Sequence, residues 1–176
     1  MITARRRSFA RRLLGALRLD ASVYEEIEHD AGAVWQAVAV VALGGFAEGL
    51  LLLASGVWLG IAAGLVAGFS GWLAATAVVW LIGVRMMGYT SSFPELLRTL
   101  GFATAPRILL AIGILPLGPA LVVLRLAFAA LTLAAFVVAA RQALDVDTGR
   151  AIVVCVLAAA ISVLFGILLG SPRVLG

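Results

Sequence analysis

The chain has 176 residues, of which 64% are hydrophobic and only 12% are charged. Soluble domains carry about a quarter charged residues, and a core of this size is too small to hide so much apolar surface from water, so the composition excludes a soluble globular domain and predicts one helical bundle in a membrane. The net charge of +4 is carried by arginine without any lysine, and its position beside apolar segments favours anionic lipid headgroups over nucleic acid as the partner.

The N-terminal segment, residues 2–19, is predicted to form a basic amphipathic helix. Its apolar side chains recur on one face, and most of its arginines lie opposite. Such a helix lies on the cytoplasmic leaflet, and a basic tail without stable structure is the alternative. The segment lacks the apolar core of a signal peptide and is read as part of the mature protein. The residues predicted to bind the membrane surface are Arg5, Arg6, Arg7, Arg11, Arg12 and Arg18.

An acidic segment follows, and Ser22–Glu25 has the pattern of a capping box that opens a second helix. Within it, Glu26 and His29 form a Glu-x-x-His pair, a spacing used by carboxylate-bridged metal sites. Such sites need a second copy on a facing helix, and His29 is the only histidine. We therefore predict no metal and expect His29 to titrate on a solvated surface.

Five apolar segments come next, and they predict an all-α polytopic membrane protein with five transmembrane helices plus cytoplasmic interfacial helices. A second capping box, Ser92–Glu95, opens an amphipathic helix on the cytoplasmic side. The third segment is shorter than the roughly 20 residues that a span requires. Either the amphipathic helix lengthens it, or it is kinked or re-entrant. The segments begin and end near 34–54, 57–84, 106–115, 120–140 and 151–169.

The arginines indicate the orientation of these spans. Eleven of the thirteen fall before the first span or in the loops after the second and fourth spans, and cytoplasmic loops keep the arginine excess. The N-terminus is therefore expected inside and the C-terminus outside the inner (plasma) membrane. The expected organisation is a cytoplasmic region over residues 1–31, a membrane domain over 32–170 and an extracytoplasmic tail over 171–176.

Glycines recur every four residues in the spans. Lipid gives helices no hydrophobic reward for pairing, so close packing at small residues supplies the contact. The glycines therefore predict helix contacts, either between the first two spans of one chain or with another subunit. They are Gly45 and Gly49 in the first span, Gly56, Gly60, Gly64 and Gly68 in the second, and Gly166 and Gly170 in the fifth.

Two charged residues, Glu48 and Arg125, lie deep within spans. Each is about 10 Å below the outer surface by the helical rise, and intramembrane charges are usually paired or functional. Matching depth predicts an ion pair between them. Snorkelling to the interface and a role in transport or proton relay are the alternatives.

No set of residues with catalytic spacing stands out. The chain has no second histidine, no Ser/Lys pair and no phosphate-binding glycine loop with lysine. We therefore predict that the protein is not an enzyme and needs no cofactor.

The order of three motifs resembles the Yip family, the Ypt/Rab-interacting-protein domain, in its bacterial form. The motifs lie at Val23–Asp30, at Ser92–Ala103 ending in Ala105-Pro106, and at Ala140–Asp145. The resemblance covers roughly residues 20–170. It implies a close-set five-span bundle without catalytic residues and, for eukaryotic members, vesicle traffic through binding of prenylated GTPases and of one another. The Asp-Leu-Tyr-Gly-Pro type motif of those members is absent here.

The leading hypothesis is a non-enzymatic membrane scaffold or accessory subunit that associates with itself or with other membrane proteins. The glycine pattern and the amphipathic helices support it. The alternatives are a small transporter or channel that uses Glu48 and Arg125, and a protein that interacts with lipids or senses curvature.

Overall fold

The computed structural model describes residues 7–115 and 118–170, with side-chain surroundings up to residue 161. The described residues form helices and connecting turns without any strand. A π-helical turn, Leu81–Met86, extends α4, and a 3-10 segment, Ala105–Ile114, follows α5. The predicted all-α polytopic membrane fold is confirmed. The α-helices are α1 Phe9–Leu17, α2 Ala21–His29, α3 Ala33–Ala54, α4 Gly60–Trp80, α5 Phe93–Ala103, α6 Ala120–Ala143 and α7 Thr148–Gly170.

Four helical stretches are long and apolar enough to cross a membrane: Ala33–Ala54, Gly60–Met86, Phe93–Ile114 and Ala120–Ala143. A shorter apolar stretch, Thr148–Ile161, is the part of α7 whose side chains are described. These segments run antiparallel in chain order, so the bundle has two ends. The cap end carries α1, α2, the start of α5 and the α6–α7 loop, and the hairpin end carries the α3–α4 turn and the start of α6.

The third span combines α5 with the 3-10 segment. A 3-10 helix rises about 2.0 Å per residue against about 1.5 Å for an α-helix. The eleven residues of α5 and the ten of the 3-10 segment therefore extend to about 36 Å, enough for a hydrocarbon core of about 30 Å. Length and composition therefore favour the alternative in which the amphipathic helix lengthens this span.

The two predicted capping boxes have different outcomes. At α5 the box is confirmed, because Glu95 N donates to Ser92 Oγ at 3.4 Å and Ser92 N donates to Glu95 Oε2 at 2.7 Å. At α2 the prediction is wrong. The cap is Asp20, whose carboxylate accepts from Ser22 N at 3.0 Å, so the helix begins before the proposed box. A left-handed turn at Leu19, with φ 59°, brings Asp20 into this position.

Helix α5 lies at the centre of the cap end, where it packs against α1, α2, α3, α4 and α6. Its side chains Leu96, Leu100 and Phe102 are fully buried. On the α4 side, the Trp72 indole N–H donates to the Leu97 carbonyl at 3.0 Å. The apolar stripe of α5 therefore faces other helices of the same chain.

Helix α1 also places its apolar face on the bundle. Ala16 is fully buried, and Phe9 meets Phe102 edge to face with ring centroids 6.3 Å apart. The helix is shorter than the predicted 2–19, and residues 2–6 of that prediction lie outside the described residues.

Candidate functional site

An arginine at the cap end joins three helices. Arg12 of α1 is 1% exposed, and its Nη2 donates to Glu26 Oε1 at 2.7 Å and to Asp30 Oδ2 at 2.8 Å. Its Nη1 donates to Gln36 Oε1 of α3 at 3.1 Å. Burial of a guanidinium is tolerable only with such pairing. The prediction that Arg12 binds the membrane surface is therefore wrong, since the residue is an internal tie between α1, α2 and α3.

The other N-terminal arginines differ in their surroundings. Arg7 is half-buried and donates from Nη2 to Ser22 Oγ at 3.1 Å, whereas Arg11 and Arg18 are exposed. Arg5 and Arg6 lie outside the described residues. Contact with anionic headgroups stays a prediction, and Arg11 and Arg18 are the described arginines free to make it.

Glu28, on α2, has an unusual protonation equilibrium. Burial raises its pKa from 4.5 to about 7; the nearby carboxylates Asp145, Glu95 and Glu25 act in the same direction, and His29 opposes them. At neutral pH the carboxyl group of Glu28 is therefore about half protonated. Its main-chain carbonyl accepts a hydrogen bond from Arg98 Nη2 of α5.

This pKa predicts a pH-dependent stability. Because the pKa of Glu28 is raised in the folded protein, its carboxyl group stabilises the fold fully below pH 4.5. This stabilisation is lost as the pH rises to about 7. Allowing for partial exposure, we expect a loss of about 1 kcal/mol. Thermal unfolding in detergent between about pH 5 and pH 8 should show Glu28→Gln gaining stability over wild type as the pH rises. The control Glu25→Gln, at an exposed position whose carboxylate has the smallest of the named effects on Glu28, should keep most of the wild-type dependence. A constant Glu28→Gln difference would refute the prediction.

The glycines of the first two spans lie where α3 and α4 meet. A Cβ atom on Gly45 would come within 2.8 Å of the Gly64 carbonyl oxygen, and one on Gly49 within 2.6 Å of the Ile61 Cα. From the other side, Cβ atoms on Gly60 and Gly64 would overlap the backbone of α3. The backbones of α3 and α4 are so close at these positions that only the hydrogen side chain of glycine fits.

The remaining predicted glycines lie elsewhere. Gly68 is at the edge of this contact, where a Cβ would be 3.2 Å from the Gly45 Cα. Gly56 lies in the α3–α4 turn with φ +90° and open space around it, so its role is to allow the left-handed backbone. Gly166 and Gly170 lie in the part of α7 whose surroundings fall outside the described residues.

The structure gives Glu48 a partner other than the predicted Arg125. Its Oε2 accepts a hydrogen bond from Arg107 Nη2, in the 3-10 segment. Within the described residues, Arg125 forms no ion pair, and its side chain is exposed. The predicted pair is corrected for a geometric reason: equal depth does not place two side chains on facing sides of their helices.

Arg107 was missed as the partner, because the arginine count placed it in the loop after the second span, at the border of the third segment. A signal for it was available in α3. Gly44 lies one turn before Glu48, and a Cβ at Gly44 would come within 3.2 Å of the Arg107 Cβ. A glycine one turn before an intramembrane carboxylate marks a close approach by another segment, which here brings the guanidinium to the carboxylate.

A cavity of about 480 Å³ opens beside these charges, between α4, the 3-10 segment, α6 and α7. Glu48, Arg107 and Arg125 line it toward the hairpin end. Its remaining wall is largely apolar and includes Trp72, Phe128, Phe136 and the only cysteine, Cys155. The charged and apolar parts form one continuous space.

The possible metal ligands are dispersed. In the described part of the chain, no group of three or more His, Cys, Asp or Glu side chains could hold a metal ion. His29 is exposed, and its Nδ1 lies 2.9 Å from the Glu25 carbonyl oxygen.

Comparison with known proteins identifies the family. The model of the Yip1 domain matches residues 15–170, which include α2 to α7, the glycine contact, the Glu48–Arg107 pair and the cavity. No curated protein and no solved structure matches the chain significantly. A match over this length, on a helical bundle with several membrane-crossing segments, shows that the chain belongs to the Yip family.

Proposed function

We propose that this Yip-family protein is a non-enzymatic membrane scaffold or accessory subunit that associates with itself or with other integral membrane proteins. One observation carries the proposal: α4 has a second stripe of small residues, distinct from its glycine contact with α3, that faces away from the bundle. The stripe consists of Ala63, Ala67, Ser70, Ala74 and Ala77, all exposed.

The spacing of these residues is what a second helix contact requires. They lie at i, i+4, i+7, i+11 and i+14, within about 40° of one line along α4. Stripes of this kind let membrane helices approach closely. Trp72 is buried on the opposite side of α4, so α4 would be held by its own chain on one side and by a partner on the other.

The rival function as a transporter has less support from the geometry. It relied on Glu48 and Arg125 acting as a pair, whereas Glu48 is paired with Arg107. At the cap end, Arg12 uses its charge to join helices through Glu26 and Asp30. These charged groups hold helices together, which favours a role as a scaffold over a role in transport.

Bulky substitutions in the stripe are expected to weaken association. Ala67→Leu combined with Ala74→Leu should raise the dissociation constant about tenfold or more, because overpacking a helix contact costs about 1–3 kcal/mol. The measurement is mass and copurification analysis of the full chain in mild detergent. Ala127→Leu with Ala130→Leu, at exposed positions of α6, is the matched control. A wild-type particle that is strictly monomeric without a copurifying protein would contradict the proposal.

A further inference from the structure

We propose that the cavity between α4, the 3-10 segment, α6 and α7 binds one anionic phospholipid, with its headgroup at Arg125 and an acyl chain along the apolar wall. This site is separate from the outward stripe of α4 on which the scaffold proposal rests. The charge at one end of the cavity, its length and the polarity of its wall support this ligand.

The charged end of the cavity has an unbalanced positive charge. Glu48 and Arg107 neutralise each other through their ion pair, and Arg125, which lines the same cavity, has no ion pair in the described part of the chain. A guanidinium at membrane depth requires a compensating anion or polar contacts. A ligand with one negative charge would neutralise the net positive charge of Glu48, Arg107 and Arg125. A phosphate diester, which carries one negative charge and accepts bidentate hydrogen bonds from arginine, is such a ligand.

The length of the cavity matches that of one acyl chain. From Arg125 to Phe136, which both line it, α6 rises about 16 Å. This is about half of a hydrocarbon core of about 30 Å. The volume of about 480 Å³ also lies within the roughly 300–1,000 Å³ of sites that hold small molecules.

The polar atoms in the body of the cavity are already satisfied. Thr132 Oγ1 donates to the Phe128 carbonyl at 2.7 Å, and Thr104 Oγ1 donates to the Gly101 carbonyl at 2.7 Å. The wall away from the arginines therefore offers hydrocarbon contact with few free hydrogen-bonding groups. A hydrated solute would lose its water there without replacement, whereas an acyl chain would lose nothing.

The first test measures the retained lipid by native mass spectrometry of the full-length protein, with phosphatidylglycerol or phosphatidylcholine of matched acyl chains. Wild type is expected to retain phosphatidylglycerol preferentially. Arg125→Gln should lower that retention about tenfold to a hundredfold, the effect of losing a hydrogen bond to a charged group. The control Arg141→Gln removes an equal charge at an exposed position of the cap end and should change little. Equal retention of both lipids by wild type would overturn the proposal. That result is expected if the Arg125 side chain only extends to water.

A second pair of variants tests the apolar part. Ala129 lines the cavity, while its exposed neighbour Ala130 does not. Ala129→Phe should abolish lipid retention, and Ala130→Phe should preserve it. Equal retention by the two variants would contradict the site. Inorganic phosphate should fail to displace the lipid, because a free anion lacks the acyl chain; displacement would show an anion site instead.

A third measurement uses the wild-type protein, so it does not depend on a variant folding. Cys155 is the only cysteine and lines the cavity. Its alkylation by a membrane-permeant maleimide should be slower in phosphatidylglycerol nanodiscs than in phosphatidylcholine nanodiscs, because the bound chain would cover the thiol. The same alkylation rate in both lipids would refute the proposal, whatever the outcome of the association experiments.

Discussion

Gly64→Ala is expected to destabilise the bundle by about 2–3 kcal/mol, the cost of forcing extra atoms into a close-packed contact. The added Cβ would overlap backbone atoms of Gly45 and Gly49. Backbone atoms have no rotamer to change, so α3 and α4 would have to separate along their length. The measurement is thermal or denaturant unfolding of the purified protein in detergent.

Gly71→Ala is the matched control for this experiment. Gly71 lies two turns further along the same helix, and a Cβ there would meet nothing within 4 Å. Alanine stabilises a helix interior by about 0.5–1 kcal/mol relative to glycine, so this variant should be as stable as wild type or more so. Both substitutions make the same local change, and their difference isolates the α3–α4 contact. Equal stability of the two variants would contradict the role assigned to Gly64.

Arg12→Met is expected to destabilise the cap end by about 3 kcal/mol, in the range found when one member of a buried ion network is removed. The substitution keeps a long apolar side chain but removes the cation shared by Glu26 and Asp30, whose side chains are 26% and 9% exposed. Unfolding in detergent measures the loss. Release of α1 should also increase proteolysis near the N-terminus.

Two further variants separate charge from packing at this site. Arg11→Met changes the neighbouring exposed arginine and should alter stability by no more than about 0.5 kcal/mol. Adding Glu26→Gln and Asp30→Asn to Arg12→Met should restore part of the lost stability, because the carboxylates would no longer carry charge. If the triple variant is no more stable than Arg12→Met, the charge explanation is wrong.

The sequence was sufficient to predict the features that depend on local spacing. Apolar runs of sufficient length predicted the membrane-crossing helices, and a serine three residues before a glutamate predicted the start of α5 at Phe93. The four-residue glycine spacing pointed to a close helix contact, and the structure places Gly49 and Gly64 at one. Each of these patterns is determined within a single helix or between neighbours joined by a short turn.

Features that depend on rotation between distant helices were missed. The helical rise gives the depth of Glu48 and Arg125 but says nothing about which sides of α3 and α6 face each other. The partner of Glu48 is instead Arg107, whose position depends on the 3-10 winding after α5. Arg12 lies about 60° from Phe9 around α1, at the border of the apolar face, and its burial depends on the left-handed turn at Leu19.

Arg12 and Arg98 are buried and Arg107 is half-buried, so the same charged groups have different surroundings before and after the helices pack. Before the helices have packed, each is a hydrated positive charge, and moving it unpaired into hydrocarbon would cost free energy. After assembly the same groups are internal: Arg12 holds carboxylates, Arg98 binds the Glu28 carbonyl and Arg107 binds Glu48. A neutral replacement would therefore leave a carboxylate or a carbonyl group without its partner and weaken the finished bundle, and lysine would preserve the bundle only in part, because it lacks the planar fork of donors.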